Sequence, residues 1–344
     1  MAWRTSPHAW GGAAGRAVLR AWPEDFRVTE LPVAEPDGAG EHAWLWVRKR
    51  DTNTEWVARQ LARHAGVAVS AVSYAGLKDR RAVTEQWFSV HLPGRDEPDW
   101  SRLNDDAFEV VRAARHSRKL RRGALRGNRF ELVLRGLEVD GDVLEARLRQ
   151  LREGGVPNWF GPQRFGHGGR NLDEARRLFG GRSGRLPRHK RGLYLSAARS
   201  ALFNLVLARR VEHGSWNRAL GGEALQLDGR SGCFVAERPD GETVLRVARG
   251  EVHPTGPLWG RGESLPVGEA KARERDWLAP FADWCAGLER AGLEQARRAL
   301  RVRVTDLEWA LEGSDCLRLR FCLPAGAYAT SVVRELVDVE SAHD

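Results

Sequence analysis

Cysteine and histidine are too few and too widely spaced to indicate a metal or redox centre. The four cysteines form no CxxC pair, the spacing typical of a zinc ribbon or a dithiol redox site; they are Cys233, Cys285, Cys316 and Cys322. The ten histidines form no HExxH motif or other ligand cluster. We therefore expect neither a bound metal nor a redox disulfide.

Long apolar runs are also missing. No stretch approaches the roughly 18 consecutive apolar residues that a membrane-spanning helix needs. The first twenty residues lack the apolar central region of a secretory signal. We therefore expect no membrane association and a location in the cytoplasm.

Acidic residues are outnumbered by basic ones. The 344 residues include 55 Lys and Arg but only 46 Asp and Glu, which gives a formal net charge of +9. Such an excess favours a polyanionic partner, and nucleic acid is the first candidate. An arginine-rich solvated surface would give the same composition, so the charge alone does not decide between the two.

The periodicity of apolar residues changes along the chain. Alternation predicts strands at residues 23–32, 41–50, 84–94, 128–136 and 316–324. A helical period predicts helices at residues 52–66, 142–155, 196–214 (with Ser196 as the cap) and 289–300. We interpret this order as one α+β domain with an insertion at roughly residues 154–302. Two consecutive domains would fit the same pattern.

A single carboxylate, Asp79, stands among the cations Lys78, Arg80 and Arg81 in the stretch YAGLKDRRAV. The cations are expected to keep the carboxylate ionised. An ionised carboxylate can act as a nucleophile or stabilise positive charge. An ordinary loop salt bridge, which contributes little to stability, is the alternative.

Two further segments combine cations with aromatic rings. Residues 115–130 hold seven basic residues and no acid, and end with Asn128 and Phe130, which could read and stack on a base. A basic loop leading into a strand with a buried Phe130 is the alternative. Residues 158–166 place Arg164 among three aromatics, which suits RNA stacking or a small aromatic core.

The chain resembles a known family in seven motifs. YAGLKDRRAVTEQWFSV resembles the signature of the TruD-type tRNA pseudouridine synthases. The other six follow in the family's order between residues 23 and 338: PEDFRVTE, RHSRKLRRGALRGNRF, VPNWFGPQRFGHGGRNL, LSAARSALFNLVLARRV, HPTGPLWG and LPAGAYATSVVREL. Residues 214–250 and 261–300 match only loosely.

The resemblance implies a fold and an activity. The fold is α+β: a pseudouridine-synthase catalytic domain with a mixed or antiparallel sheet, built from residues 1–153 and 303–344. A largely helical α+β insertion domain of the TruD type, residues 154–302, interrupts it. The implied activity is isomerisation of uridine to pseudouridine at position 13 in the D arm of tRNA. The resemblance implies no cofactor and no metal, and we expect a monomer that binds tRNA.

The resemblance also implies site residues. Asp79 falls on the family's catalytic aspartate. Positions expected to line the uridine pocket are Phe26, Asn128, Phe130 and Tyr328, and family members often have Phe where Tyr328 stands. Arg20 occupies a place where a Lys can occur. Together with Lys78 and Arg80, it is a candidate for orienting Asp79 and attracting RNA.

Two other functions would share some of these features. A non-catalytic RNA-binding module would have the same charge and aromatics, but would not need Asp79 with a full set of pocket residues. A methyltransferase would need a Gly-rich turn after a strand, and GHGGRN follows no clear strand. In the insertion, five cations are expected to contact phosphates: Arg182, Arg185, Arg188, Lys190 and Arg191.

Overall fold

A computed structural model describes residues 6–181, 184 and 186–341. Two of the cations expected to contact phosphates, Arg182 and Arg185, lie outside the described residues. In the described part of the chain, no helix is both long and apolar enough to cross a membrane.

Both strands and α-helices occur throughout the described part of the chain. The strands are β1 Gly15–Leu19, β2 Phe26–Pro32, β3 His42–Arg50, β4 Val72–Tyr74, β5 Val83–His91, β6 Phe108–His116, β7 Leu125–Val139, β8 Val156–Pro157, β9 Glu223–Leu227, β10 Cys233–Ala236, β11 Val252–Leu258, β12 Ala296–Ala299, β13 Arg301–Val302, β14 Thr305–Leu311, β15 Cys316–Pro324 and β16 Asp338–Ser341. The α-helices are α1 Thr54–His64, α2 Gly141–Gly154, α3 Arg170–Phe179, α4 Arg188–Glu212, α5 Gly241–Arg249, α6 Gly268–Leu278, α7 Ala282–Arg290 and α8 Ala329–Leu336.

The chain divides into two compact units. One, the sheet unit, comprises Gly15–Asp140, Val304–Gly326 and Val337–Asp344. The other, the helical unit, comprises Met1–Ala14, Gly141–Arg303 and Ala327–Leu336. These units are defined by spatial contacts, and they group α2 and α8 with residues 155–303. The division into a catalytic domain and an insertion at residues 154 and 302 stays a prediction.

The sheet unit is built on a ten-stranded mixed sheet. Its central order is β14-β15-β7-β2-β5-β3-β6, with β4 beside β5 and β1 beside both β7 and β16. The β2–β5 and β1–β16 pairs are parallel, whereas the other pairs are antiparallel. The predicted α+β class with a mixed sheet is therefore confirmed.

Helix α1 covers one face of this sheet because its apolar residues recur at helical spacing. Val57, Ala58, Leu61 and Ala62 are all at most 3% exposed. They pack in one core cluster with inward residues of β3 and β5, including Leu45 and Phe88. Burial of such side chains contributes about 1.5–3 kcal/mol each before entropic costs.

The helical unit contains α2 to α8, a four-stranded sheet in the order β10-β9-β11-β12, and the short β8–β13 pair. Its longest helix, α4, begins two turns before the predicted start at Ser196, directly after Pro187. Proline cannot continue a helix towards its N-terminus but is tolerated at its start. The first turns of α4 are basic and exposed, so apolar periodicity did not reveal them.

The predicted helix at residues 289–300 is wrong. Helix α7 ends at Arg290, Gly292 adopts φ +84°, and residues Ala296–Ala299 form β12 instead. This strand pairs with β11, and Arg297 reaches back to Glu274 through a buried ion pair of 2.5 Å. Tertiary pairing therefore overrides a segment whose composition favours a helix.

Candidate active site

Asp79 lies in the loop that joins β4 to β5, and buried polar side chains hold the backbone of this loop. Thr54 Oγ1, in the first turn of α1, accepts a hydrogen bond from the Lys78 amide at 3.1 Å. Gln86 Nε2 donates to the Gly76 carbonyl at 2.9 Å. Lys49 Nζ donates to the Asp79 carbonyl at 2.7 Å. The loop backbone is therefore anchored on both sides of the carboxylate.

Strand register brings Phe26, Asn128 and Phe130 onto one sheet face. Glu30 pairs with Asn128, and Val28 pairs with Phe130. Because side chains alternate along a strand, Phe26 and Glu30 share this face with Asn128 and Phe130.

Arg20 makes the contact that fixes the carboxylate itself. Its Nη2 lies 3.3 Å from Asp79 Oδ1, and the two side chains are 24% and 35% exposed. The guanidinium carbon lies 3.9 Å from the centroid of the Phe26 ring. Arg20 adopts φ +61°, a conformation that costs a non-glycine residue about 1–3 kcal/mol. The ion pair and the ring contact stabilise that backbone conformation.

Lys78 and Arg80 have other partners. Lys78 Nζ lies 2.8 Å from Glu30 Oε2, and both side chains are at most 4% exposed. Arg80 Nε lies 3.7 Å from Asp51 Oδ1 on the exposed side of the loop. Of the three candidate cations, Arg20 is the one that pairs with the Asp79 carboxylate.

Aromatic rings line the sheet next to Arg20. Phe26 and Phe130 meet edge to face at a centroid distance of 6.2 Å, and Phe130 stacks on Phe321 at 5.4 Å. Phe130 is 5% exposed and therefore belongs to the core of the sheet unit. The side-chain oxygen of Asn128 is shielded from solvent and has no hydrogen-bond partner among the described residues. It is available to accept a hydrogen bond from a ligand.

Tyr328 belongs to the helical unit. Its hydroxyl oxygen accepts a hydrogen bond from Arg164 Nη2 at 3.5 Å. Arg164 also donates to Ser196 Oγ at 3.3 Å, and its guanidinium lies over the Phe160 ring at 5.4 Å. The phenolic hydroxyl is thus accommodated by a partner within its own unit. Trp159 and Phe165, the other aromatics of residues 158–166, are buried in core clusters.

The described residues contain no group of three His, Cys, Asp or Glu side chains placed to hold a metal ion.

Known proteins match this chain over nearly its whole length. A family profile described as tRNA pseudouridine synthase D (TruD) matches residues 8–172 and 170–336. The tRNA pseudouridine synthase D of Methylococcus capsulatus is 55% identical over 335 residues, covering 97% of this chain and 94% of that protein. The protein of the same name from Nitrosococcus oceani is 53% identical over 339 residues, with the same two coverages.

The chain belongs to the TruD family of tRNA pseudouridine synthases. It is therefore an isomerase that acts on uridine in tRNA, and the predicted enzyme class is confirmed. A crystal structure of a protein from Methanosarcina mazei, described under the name TruD, superposes with a TM-score of 0.73 at 23% identity. It covers 96% of this chain and 95% of that chain, and it confirms the fold.

The sequence motifs did not identify two buried charges near Asp79. Lys49 and Glu30 are each 1% exposed and lie beneath the Asp79 loop. Both continue inward alternations that are visible in the sequence: Lys49 follows Leu45 and Val47, and Glu30 follows Val28. A charged residue at an inward position of a strand is rarely buried without a partner. The inward positions of Lys49 and Glu30 could therefore have indicated buried, paired charges from the sequence.

Burial lowers the pKa of Lys49 to about 8. The charges of Asp79 and Asp51 oppose this shift, and the charge of Lys78 adds to it. Lys49 thus loses its proton more easily than an exposed lysine, whose pKa is near 10.5.

This lowered pKa predicts a rise in stability at alkaline pH. Between pH 8 and 10.5 the unfolded chain holds a proton on Lys49 that the folded chain has released, so folding becomes more favourable as pH rises. We expect the free energy of unfolding of the wild type, relative to Lys49→Met, to increase by about 2–3 kcal/mol from pH 7 to pH 10. Urea denaturation of both proteins at the two pH values measures it. A difference that is constant with pH would show that Lys49 titrates as an exposed lysine does.

Proposed function

We propose that this enzyme converts uridine 13 in the D arm of tRNA to pseudouridine, with Asp79 as its catalytic carboxylate. The observation that carries this proposal is the arrangement at Asp79: a partly exposed carboxylate, paired with Arg20, on a loop whose backbone is anchored by buried polar groups. Anchored geometry is what a catalytic group needs. Position 13 is taken from the family resemblance of the motifs.

The reaction needs no external reagent. The bond between N1 and C1′ breaks, the uracil turns, and a bond forms between C5 and C1′. The proton that leaves C5 is balanced by one gained at N1, so product and substrate have the same atoms. Since C1′ is hidden in stacked RNA, the uridine must be flipped out of the stack before it can react.

An ionised oxygen near C1′ serves each plausible route. As a nucleophile, Asp79 forms a bond to C1′ while the N1–C1′ electrons leave with the uracil, and C5 then displaces the carboxylate. As an electrostatic partner, it stabilises positive charge at C1′. As a base, it accepts a sugar proton in an elimination. All three routes require the carboxylate to be charged, and Arg20 Nη2 lies 3.3 Å from its Oδ1.

The aromatic wall and Asn128 suit a base that turns in place. We propose that Phe26 and Phe130 contact the uracil and that Asn128 accepts a hydrogen bond from the nucleoside. For Tyr328, the uridine contact stays a prediction from the family resemblance. The Arg20 guanidinium lies over the Phe26 ring. A uracil stacked on that ring would displace it, so we expect Arg20 to shift when uridine binds while it keeps its pairing with Asp79. Lys78 contributes indirectly, by anchoring the loop to Glu30, and Arg80 is an exposed candidate for phosphate contact.

Product analysis on tRNA transcripts tests the substrate position. An unmodified tRNA transcript with uridine 13 should gain one pseudouridine, mapped to that position. A matched transcript with cytidine 13 should gain none. Pseudouridine at another position, or equal amounts in both transcripts, would refute the assignment of position 13.

Arg20 provides a second test of the site. Arg20→Gln should slow single-turnover isomerisation about tenfold, a barrier change of about 1.4 kcal/mol, because the charge that pairs with Asp79 is lost. Arg20→Lys should retain most of the rate, since an ammonium can also pair with a carboxylate. If Arg20→Lys and Arg20→Gln are equally slow, the planar guanidinium rather than its charge is what matters.

We also propose that the enzyme works as a monomer in the cytoplasm, where tRNA is available. Size-exclusion chromatography with light scattering tests the monomer, which has a mass of 38.5 kDa. A dimer mass at micromolar concentration would contradict it.

A further inference from the structure

A concave surface of the sheet unit combines a set of cations with an apolar wall. It encloses about 560 Å³ between α1, β4 and the loop that precedes β7. Its cations are Arg59, Lys119, Arg121 and Arg122, whereas its lining contains a single carboxylate, Glu55. We propose that this surface, the α1 cavity, binds a phosphodiester of tRNA outside the flipped uridine. This inference extends the proposed function, from which it takes the position of the uridine at Asp79.

The charges of the α1 cavity are not neutralised by the protein. In the described part of the chain, none of its four cations forms an ion pair. Other arginines of the same unit do: Arg102 pairs with Asp99 at 3.4 Å, and Arg112 pairs with Glu35 at 3.1 Å. Like charges that gather around one concavity attract an anion, and the geometry of arginine suits phosphate.

The loop that carries three of these cations is fixed in place. Leu120 is 3% exposed and packs in a cluster with Trp44 and Trp87. The Gly123 amide donates to the Ala75 carbonyl at 2.8 Å. The backbone that carries these cations therefore needs little ordering when a ligand binds, which lowers the entropic cost of binding.

Arg122 is oriented by a buried tyrosine. Its Nη2 donates to the Tyr74 hydroxyl at 3.2 Å, and its guanidinium carbon lies 4.8 Å from the Tyr74 ring centroid. Tyr74 is 7% exposed and packs against Phe88. Arg122 is thus stacked on a rigid ring at the edge of the cavity, an arrangement that leaves its other N–H groups available to a phosphate.

The wall opposite the cations suits the rest of a nucleotide. Ala58, Val69 and Val72 supply apolar surface. Ser73 also lines the cavity, and its hydroxyl, which is shielded from solvent, has no hydrogen-bond partner among the described residues. A ribose or base could therefore pack on the apolar wall while the phosphate meets the guanidinium groups. The volume falls within the range of about 300–1,000 Å³ that is typical of small-ligand sites.

A free nucleotide has the same chemistry, but chain connectivity favours tRNA. Tyr74 precedes Asp79 by five residues, so their Cα atoms lie at most about 18 Å apart. An RNA strand whose uridine reaches Asp79 would therefore have neighbouring phosphates within reach of the cavity.

The test compares the salt dependence of tRNA binding in four proteins. All of them carry Asp79→Asn, so that no product forms during the titration. Each protein is titrated with unmodified tRNA, and binding is measured by fluorescence anisotropy. The salt concentration is varied between 50 and 300 mM, roughly the range in which phosphate contacts weaken. One protein has no further change, one adds Arg59→Gln and Arg122→Gln, and the matched control adds Arg102→Gln and Arg112→Gln. Both doubles remove two positive charges from the sheet unit.

We expect the slope of log K against log salt to become shallower by about 1.4–1.8 in the cavity double, or 0.7–0.9 per lost contact. The control double should match the parent. A third double, Arg59→Lys with Arg122→Lys, should keep the parental slope because its charges remain. Equal slopes in the cavity and control doubles would overturn the proposal.

A calorimetric titration with uridine 5′-monophosphate distinguishes a free nucleotide. Suppose that uridine 5′-monophosphate binds with a submillimolar Kd, that the cavity double loses this binding, and that the slope of log K against log salt for tRNA is unchanged in that double. The cavity would then be a site for a free nucleotide, and the tRNA assignment would be overturned. These readouts measure binding alone. They therefore remain valid if product mapping refutes position 13, and a failure of either claim can be recognised separately.

Discussion

Asp79→Asn is expected to reduce single-turnover isomerisation by at least about a thousandfold, a barrier increase of about 4 kcal/mol. The substitution keeps the shape of the side chain but removes the charge that each route at C1′ requires. The fold should be retained because the loop is anchored through backbone groups and through the Lys78–Glu30 pair, neither of which involves the Asp79 side chain. Affinity for tRNA should change little, since cations supply most of the binding to phosphates.

Glu109→Gln is the matched control for this loss of charge. Glu109 is an exposed carboxylate of the same unit, paired with Arg48, and it lies outside the candidate site. Its substitution should leave the rate within about twofold of wild type, a change of less than about 0.5 kcal/mol. If Asp79→Asn slows the reaction by less than about tenfold, Asp79 is not essential to the chemistry.

Phe130→Leu should slow isomerisation by more than its effect on stability explains. Contact between a base and an aromatic ring contributes about 1–3 kcal/mol. We therefore expect single-turnover rates with saturating folded enzyme to fall roughly 5- to 150-fold. Thermal denaturation beside the rate assay separates this loss from a loss of folded protein.

Phe321→Leu is the control for packing. Phe321 stacks on Phe130 in the neighbouring strand and is fully buried. Both substitutions should destabilise the fold by about 1–2 kcal/mol, because each removes part of a buried ring. If the two variants retain equal rates once folded, Phe130 is a core residue and does not contact the uracil.

The sequence predicted the sheet unit well where one face of a strand is buried. In β15 the alternation of Leu317, Leu319, Phe321 and Leu323 matches side chains that are at most 2% exposed. Such strands reveal themselves because burial enforces a period of two. The same rule could have located Lys49 and Glu30, had inward charges been read as part of the pattern.

Pairing of charges was harder to predict. Asp79 stands between Lys78 and Arg80 in the sequence, yet its carboxylate pairs with Arg20, 59 positions away. Lys78 forms an ion pair with Glu30, and strand register places Glu30 on the same face of the sheet as Asn128. Adjacent residues in a loop point in different directions, so local charge alone does not identify the partner. In β12, long-range pairing with β11 likewise decided against a locally favoured helix.

The most direct test of the account is the modification state of uridine 13 in tRNA from cells that lack this protein. Uridine 13 is expected to be unmodified in these cells. Wild-type protein should restore pseudouridine there, and Asp79→Asn protein at the same level should not. Restoration by Asp79→Asn, or a position 13 that stays unmodified with wild-type protein, would contradict the central claim.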